Sequence, residues 1–489
     1  MGYSKLDAKH DKANLPEIVK DNCSHLEPSQ QEKLLSLLLN YELLFDSTLG
    51  DWNRPPISVE MKEGAKPYHG RLYLIPQIHK ATLMKEINRL ESIGVLKRQS
   101  SSQWSSPTFI IPKKDITVPT ITDFRELNKR IVRRPYLIPK ISTTLQELEG
   151  FTYAMALDLN MGYSTIRLNP RAVEMFTIIF PWGKYSYLRL PMGFAGSADI
   201  FQAEMMDLME ALEYVRAYID NLLVITRGTL EDHLDKLREV LRRLRKVGLK
   251  VNTAKSFFCT HEIEYLGYIL TRGGIKPQPE KVQAILALNL PNNVKELWHF
   301  LGMLVQYYRD MWAKHSEMLA PLSNLVGECG EMKATRKNKV KKKPWHWDSI
   351  HQIAFDNVKT TIAKEVVLAY PDFTKPFDIY TDASTKQLGA VITQDNRPIA
   401  FFSRKLSGAQ SKYTVTKLEL LAIVETLKEF NGMLWGQRIN VYTDHKNLTR
   451  DGLGLTSDRV ARWRILLEEY ALEIIYLKGI HNTVADAIS

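Results

Sequence analysis

Tyr214-Val-Arg-Ala-Tyr-Ile-Asp220-Asn221-Leu-Leu-Val-Ile225 is an apolar, strand-like run broken by one carboxylate and one amide. Upstream, Tyr153-Ala-Met-Ala-Leu-Asp158-Leu159 has the same character. A carboxylate in a segment that would otherwise be buried is costly unless it is paired or binds a cation. Two such aspartates in one chain point to a metal site assembled on a sheet, with Asp158 and Asp220 as oxygen ligands.

The composition agrees with a multidomain globular protein. At 489 residues the chain exceeds one ordinary core. A hydrophobic fraction of 44% with 25% charged residues excludes a disordered chain. No apolar run reaches the length of a bilayer span, and the N-terminus carries no apolar signal segment, so neither secretion nor membrane insertion is expected. Cys23, Cys259 and Cys329 are too few and too scattered for a disulfide framework or a zinc site, which suits a reducing intracellular compartment. The net charge of +11 favours an anionic partner, and Lys333, Arg336, Lys337, Lys339, Lys341, Lys342 and Lys343 crowd seven cations into one short segment. That segment reads equally as a phosphate-tracking patch and as a solvated tether.

Residues 28–47 read as an amphipathic helix, with Leu34, Leu35, Leu38, Tyr41 and Phe45 at helical spacing and Ser29 as N-cap. A helix is expected near 81–94, then a loop over 100–107, then short strands and helices in alternation to about residue 270, as an α+β layer architecture requires. A second rhythm begins near Trp345: strands over 378–382, 388–393 and 399–403, a helical face through Leu420, Ile423, Val424 and Leu427, a strand over 439–444 and a helix over 460–470.

Between the two aspartate runs lies Leu190-Pro-Met-Gly-Phe-Ala-Gly-Ser-Ala-Asp-Ile-Phe-Gln202, and before them Thr122-Asp-Phe-Arg-Glu-Leu-Asn-Lys-Arg130. These strings, in this order, resemble the reverse transcriptases of Gypsy-type LTR retrotransposons, over roughly residues 52–489. The resemblance implies an α+β multidomain fold: a right-hand polymerase of fingers, palm and thumb, a connection, and a ribonuclease H-like α/β domain. The expected division is 1–51 as an N-terminal helical extension, 52–270 as fingers and palm, 271–345 as thumb, connection and basic linker, and 346–489 as ribonuclease H.

Several roles follow from that resemblance. Asp158 and Asp220 match the family's principal ligands for two Mg²⁺ ions, with Mn²⁺ as a substitute. Tyr163 matches an aromatic ring that would clash with a ribose 2′-hydroxyl, and Lys255 a lysine that protonates leaving pyrophosphate. Gly193 and Gln202 fall in the stretch that lines the nucleotide pocket and positions the template. Lys113, Lys114 and Arg125 are expected substrate contacts, and Leu266, Gly267 and Tyr268 form the turn that grips the primer end. Phe300-Leu-Gly-Met-Leu-Val-Gln-Tyr-Tyr308 resembles the thumb and connection; there Tyr307, Tyr308 and Arg309 read equally as nucleic-acid contacts and as helix packing.

Three departures bear on activity. The family pattern after tyrosine is x-Asp-Asp, whereas this chain has Ile219-Asp220-Asn221, which keeps shape and loses a charge. In the loop from Ile111, a glycine is replaced by Ile116 and an arginine by Pro119, removing a flexible turn and a bidentate phosphate donor. Ala198 stands where a proline is usual. Polymerase activity is therefore expected to be impaired.

The second domain keeps its acids: Asp382, Glu419, Asp444 and Asp486 match the family's ribonuclease H metal set. His481 precedes Asp486 without matching a fixed family position. The expected protein is an RNA-directed DNA polymerase and RNA/DNA-hybrid ribonuclease that uses an RNA template, a DNA primer and dNTPs. It would be one segment of a polyprotein with neighbouring protease and integrase segments, in a cytoplasmic virus-like particle or the nucleus. Two alternatives stay open: a ribonuclease H on an inactive polymerase scaffold, and a non-catalytic nucleic-acid-binding descendant.

Overall fold

The computed structural model describes residues 13–110, 120–308, 311–329, 343–364, 366–449 and 458–478. They form two compact units, one drawn from Met1–Pro139 and Phe151–Ile263, the other from Lys140–Gly150 and Glu264–Ser489.

The first unit is organised by a four-stranded antiparallel sheet in the order Val215–Tyr218, Asn221–Thr226, Tyr153–Leu159, Val251–Thr260. Leu222, Leu223 and Val224 are all buried, so the Asn221–Thr226 strand is covered on both faces, as its unbroken apolar run requires. Leu230–Val247 is a long amphipathic helix whose Leu234, Leu237, Val240, Leu241 and Leu244 are buried. It stops at Gly248, which has φ +80°; a Cβ there would stand 2.3 Å from the Asp51 carbonyl oxygen. A five-stranded sheet, Leu96–Arg98, Gly183–Tyr187, Thr177–Phe180, Ser106–Ile110, Thr120–Thr122, lies in the same unit. Its Ser106–Ile110 strand begins inside the stretch that composition marks as loop; Ser105 and Ser106 are small enough to be buried there.

The N-terminal segment folds onto this unit. Helices Leu15–Asn22 and Pro28–Leu39 send Leu15, Val19, Leu34, Leu37 and Leu38 into the core that holds Met155, Leu222 and Phe258. The second helix is capped by Glu27 and not by Ser29. Pro28 takes the first helical position, where its missing N–H is not needed, and the Glu27 N–H donates to Gln30 Oε1 at 3.1 Å. The helix also ends at Leu39, and Glu42–Phe45 continues as a 3₁₀ turn. The helix expected near 81–94 occupies Gln77–Ser92.

In the second unit a mixed five-stranded sheet runs Arg397–Lys405, Gln387–Gln394, Phe377–Ala383, Ile439–Thr443, Glu473–Tyr476. The first three strands pair antiparallel and the last three parallel. Helix Val415–Glu429 buries Leu418, Leu420, Leu421, Ile423 and Leu427 in the core with Phe377, Ile379 and Val441. The Glu473–Tyr476 edge strand is an addition to the sequence expectation; it is short and has no buried residue to signal it. Helices Val294–Tyr308, His315–Cys329 and Ser349–Ala363 belong to the same unit. No helix among the described residues is long and apolar enough to cross a membrane.

Candidate active sites

Asp158 is the next-to-last residue of the central strand Tyr153–Leu159, and Asp220 occupies the turn of the next hairpin, between Tyr218 and its pairing partner Asn221. Asp158 lies opposite Asn221 across the sheet, and Leu159 N–H donates to the Asp220 carbonyl at 2.9 Å. Both aspartates border a cavity of about 120 Å³ together with Tyr163, Asn252 and Lys255. Burial pushes the Asp158 carboxyl up to about 6; Asp220 adds to the rise and Lys255 opposes it. Asp220 is raised by burial too, against the pull of its own backbone N–H and of Lys255. Two partly buried acids beside one lysine are a pair that a divalent cation would relieve.

The hairpin is held from beneath. Gln202 is fully buried on helix Ser197–Leu208; its Nε2 donates to the Ala217 carbonyl at 2.9 Å and its Oε1 accepts from Ile219 N–H at 2.6 Å. Ile219 has φ +53°, a left-handed conformation that costs a β-branched residue energy and needs such a clamp. The resemblance implied that Gln202 faces substrate; its amide is instead spent on the backbone that carries Asp220. Sequence reasoning also missed Ser256, whose Oγ accepts from Asp158 N–H at 3.1 Å and donates to the Asn252 carbonyl at 2.7 Å. Its only signal was a polar residue recurring on a strand next to Asp158.

Asn221 Nδ2 donates to Asp220 Oδ1 at 3.2 Å, so the amide that replaces a carboxylate binds the remaining one. Tyr163 packs edge-on against Phe201 with centroids 5.4 Å apart, and burial beside Asp220 holds its hydroxyl above the ordinary tyrosine value. Gly193 has φ +89°, and its carbonyl accepts from Asn128 Nδ2 at 3.3 Å, fixing the loop before the Gln202 helix. Arg125, largely exposed, forks onto Asp123 at 2.8 and 2.6 Å. Lys113, Lys114, Ile116 and Pro119 lie outside the described residues, as do Asp486, His481, Arg309 and the basic run up to Lys342. The second unit holds Leu266, Gly267 and Tyr268: Leu266 and Gly267, with φ of +50° and +90°, turn the chain into the Tyr268–Thr271 strand. A Cβ on Gly267 would stand 2.2 Å from Lys281 Nζ.

In the mixed sheet, Phe377–Ala383 and Ile439–Thr443 run parallel with Tyr380 opposite Tyr442. Their rings stack at 4.7 Å, two residues before Asp382 and Asp444, so both acids leave the same end of neighbouring strands. Such a strand end is where parallel sheets place ligands. Glu419, on helix Val415–Glu429, is 2% exposed; its Oε1 accepts from Ala383 N–H at 3.1 Å and its Oε2 is buried with no partner. Burial, then Asp382 and Asp444, push its carboxyl up to about 8. Among the described residues no three acid, histidine or cysteine side chains close into a finished metal cluster. The orphaned Glu419 oxygen and its acidic neighbours nonetheless suit a hard divalent cation.

A polymerase-type palm sheet and a ribonuclease H-like sheet in one chain define a reverse transcriptase-type protein. The family described as "Reverse transcriptase (RNA-dependent DNA polymerase)" matches residues 111–270, and "RNase H-like domain found in reverse transcriptase" matches 372–470. The chain is 35% identical over 477 residues to the retrovirus-related Pol polyprotein from transposon opus of Drosophila melanogaster, covering 94% of this chain and 47% of the relative. To that from transposon gypsy of the same organism it is 33% identical over 415 residues, covering 83% and 40%. It thus spans less than half the length of these relatives. The foamy viral protease-reverse transcriptase solved in complex with dsDNA shares the fold at a TM-score of 0.84 and 23% identity, over 96% of this chain and 98% of that one. The same viral protein solved with an RNA/DNA hybrid matches at 0.80 and 23%, over 96% and 63%. The chain thus carries a reverse transcriptase domain and a ribonuclease H-like domain, and is similar over most of its length to Pol polyproteins of transposons that include opus and gypsy.

Proposed function

We propose that this chain is an RNA-directed DNA polymerase with RNA/DNA-hybrid ribonuclease H activity, its polymerase impaired by Asn221 and Pro119. The observation that carries the reading is the pair of partly buried acids, Asp158 and Asp220, bordering one cavity with Lys255 and Tyr163. Residues 1–51 serve as a helical extension, 52–270 as fingers and palm, 271–345 as thumb, connection and linker, and 346–489 as the nuclease. Asp158 and Asp220 would hold one pair of Mg²⁺ ions, and Asp382, Glu419, Asp444 and Asp486 another, with Mn²⁺ as substitute. Bound there, divalent ions lower the pKa of an attacking hydroxyl or water and neutralise charge on the phosphate.

The chain's own groups do the rest. Gln202 fixes the hairpin that carries Asp220. Tyr163, wedged against Phe201, closes the floor of the cavity against a 2′-hydroxyl, so dNTPs are preferred. Lys255 supplies a cation beside both aspartates and a proton for the leaving group. Lys113, Lys114 and Arg125 engage the nucleotide, while Leu266, Gly267 and Tyr268 seat the primer end. Substrates are an RNA template with a DNA primer and the hybrid they become. The setting is a polyprotein with protease and integrase segments, within a cytoplasmic virus-like particle or the nucleus.

A second reading, ribonuclease H alone on a silent polymerase, is favoured by the Asn221 amide bound to Asp220. One labelled RNA template annealed to a DNA primer decides: extension and hybrid cleavage together support the first reading, cleavage alone the second. Binding without either product refutes both.

A further inference from the structure

Residues 46–52 come before the stretch that the reverse transcriptase family matches, 111–270, yet they back the polymerase cavity. Asn160 lines that cavity and is 6% exposed. Its Nδ2 donates to the Thr48 carbonyl at 2.9 Å and to the Ser47 carbonyl at 3.3 Å, and its backbone N–H to the Lys250 carbonyl at 2.9 Å. Ser47 holds φ +59°, and Thr48 N–H and Oγ1 both donate to Asp46 Oδ1, at 3.0 and 2.6 Å. Lys250 Nζ closes the loop by donating to Asp46 Oδ2 at 2.8 Å. A left-handed serine persists where contacts of this kind over-determine it.

The same segment runs on to the turn that carries Tyr163. Asp51 N–H donates to the Gly248 carbonyl and Trp52 N–H to the Thr165 carbonyl, both at 2.9 Å, and Thr165 ends the 3₁₀ turn Gly162–Thr165. The Asp51 carboxylate accepts from Arg167 Nε at 2.8 Å and from Arg189 Nη1 at 2.7 Å, which fixes the chain leaving that turn. Trp52, 5% exposed, meets Phe201 edge-on with centroids 5.7 Å apart, and the fully buried Phe201 meets Tyr163 at 5.4 Å. Phe201 is confined from the turn as well: a Cβ on Gly162 would stand 2.9 Å from its Cζ. Trp52, Phe201 and Tyr163 are therefore a packed row, and in a close-packed interior a shortened first member is answered by movement of the next.

We propose that the segment from Asp46 to Trp52 is a clasp that sets how far the Tyr163 ring stands into the cavity, which makes Trp52 a positioning residue for the choice of deoxyribose over ribose. This rests on the function proposed above. Trp52 does not line the cavity; it acts through Phe201. A ring that excludes one hydroxyl works by its exact place, and a shift of about 1 Å is enough to undo such a fit.

The test measures binding and needs no chemistry. The full chain with Mg²⁺ is bound to an RNA template annealed to a DNA primer that ends in a dideoxynucleotide, and the matching dNTP or rNTP is titrated into that complex. Trp52→Leu, Trp52→Phe and Asp46→Ala are compared with the unmodified protein, each alongside its melting curve. The unmodified chain is expected to prefer the dNTP. Trp52→Leu should lower that preference about tenfold, through tighter rNTP binding, while Trp52→Phe, which keeps a ring against Phe201, retains most of it. Asp46→Ala, which loosens the Ser47–Thr48 turn from outside the cavity, should lower it about threefold. A folded Trp52→Leu with unchanged preference overturns the clasp; where that variant does not melt cooperatively, an unchanged preference in Asp46→Ala overturns it. Tyr163→Val separates the two readings: a preference lost there but kept in Trp52→Leu sinks the clasp and leaves the Tyr163 gate. No preference, or no nucleotide bound, in the unmodified chain sinks both. Complexes that select the dNTP yet never extend an unblocked primer count against the polymerase reading and leave the clasp standing.

Discussion

The palm acids Asp158 and Asp220 are both partly buried, whereas at the nuclease site Glu419 is fully buried beside a partly buried Asp382 and an exposed Asp444, and the two sets are balanced differently. Burial and Asp220 raise the Asp158 carboxyl, Lys255 opposes them, and it is pushed up to about 6. Burial, with Asp382 and Asp444 adding to it, pushes the Glu419 carboxyl up to about 8. The comparison teaches that a carboxylate's need for a divalent cation grows with its burial and with the like charges its fold sets beside it. At the palm the Asn221 amide donates to Asp220, a contact that adds no charge to the pair.

The largest way to break the comparison is to remove an acid where repulsion is stored. Asp382→Asn should lower single-turnover hybrid cleavage about a thousandfold, roughly 4 kcal/mol, while primer extension stays unchanged. Restoring the palm should go the other way: Asn221→Asp with Pro119→Arg should raise extension on an RNA template about a hundredfold. Asn221→Asp alone should also lower metal-free thermal stability, since Asp220 loses an amide donor and gains a like charge.

A third measurement sharpens the difference in stored repulsion. Glu419 keeps its proton in the folded protein up to about pH 8 but loses it near 4.5 when unfolded. The folded state therefore binds more protons in that window, and metal-free stability falls as pH rises through it. Glu419→Gln should abolish that fall and gain on the order of 2 kcal/mol at pH 9, read by thermal melting with chelator. An unchanged pH profile would show that the nuclease acids store no such strain. The smallest effect expected is at the clamp: Gln202→Ala should leave Ile219 N–H and the Ala217 carbonyl unpaired, slow extension about tenfold, and spare hybrid cleavage.

Much of this was legible from the chain alone, for identifiable reasons. Apolar runs around Asp158 and Asp220 announce strands because burying a carboxylate is costly, and the strand-helix rhythm after Trp345 announces the second sheet. The edge strand Glu473–Tyr476 and the Glu27 cap escaped, because neither depends on an apolar period. Gln202 reads as a pocket residue in sequence, and only its zero exposure and two backbone partners turn it into a clamp. Glu419 within Lys417-Leu-Glu-Leu-Leu421 looks like any helical acid; its orphaned oxygen is a fact of packing.

Sequence determined which groups are present: the acids, the amide at 221, the altered loop and the glycines that admit close backbone approach. Tertiary structure decided what each one meets. The charge of a buried carboxylate and the strain at Ile219 are set by neighbours distant in sequence, as Asp382 and Asp444 are from Glu419 and Gln202 is from Ile219, and no local pattern encodes those distances.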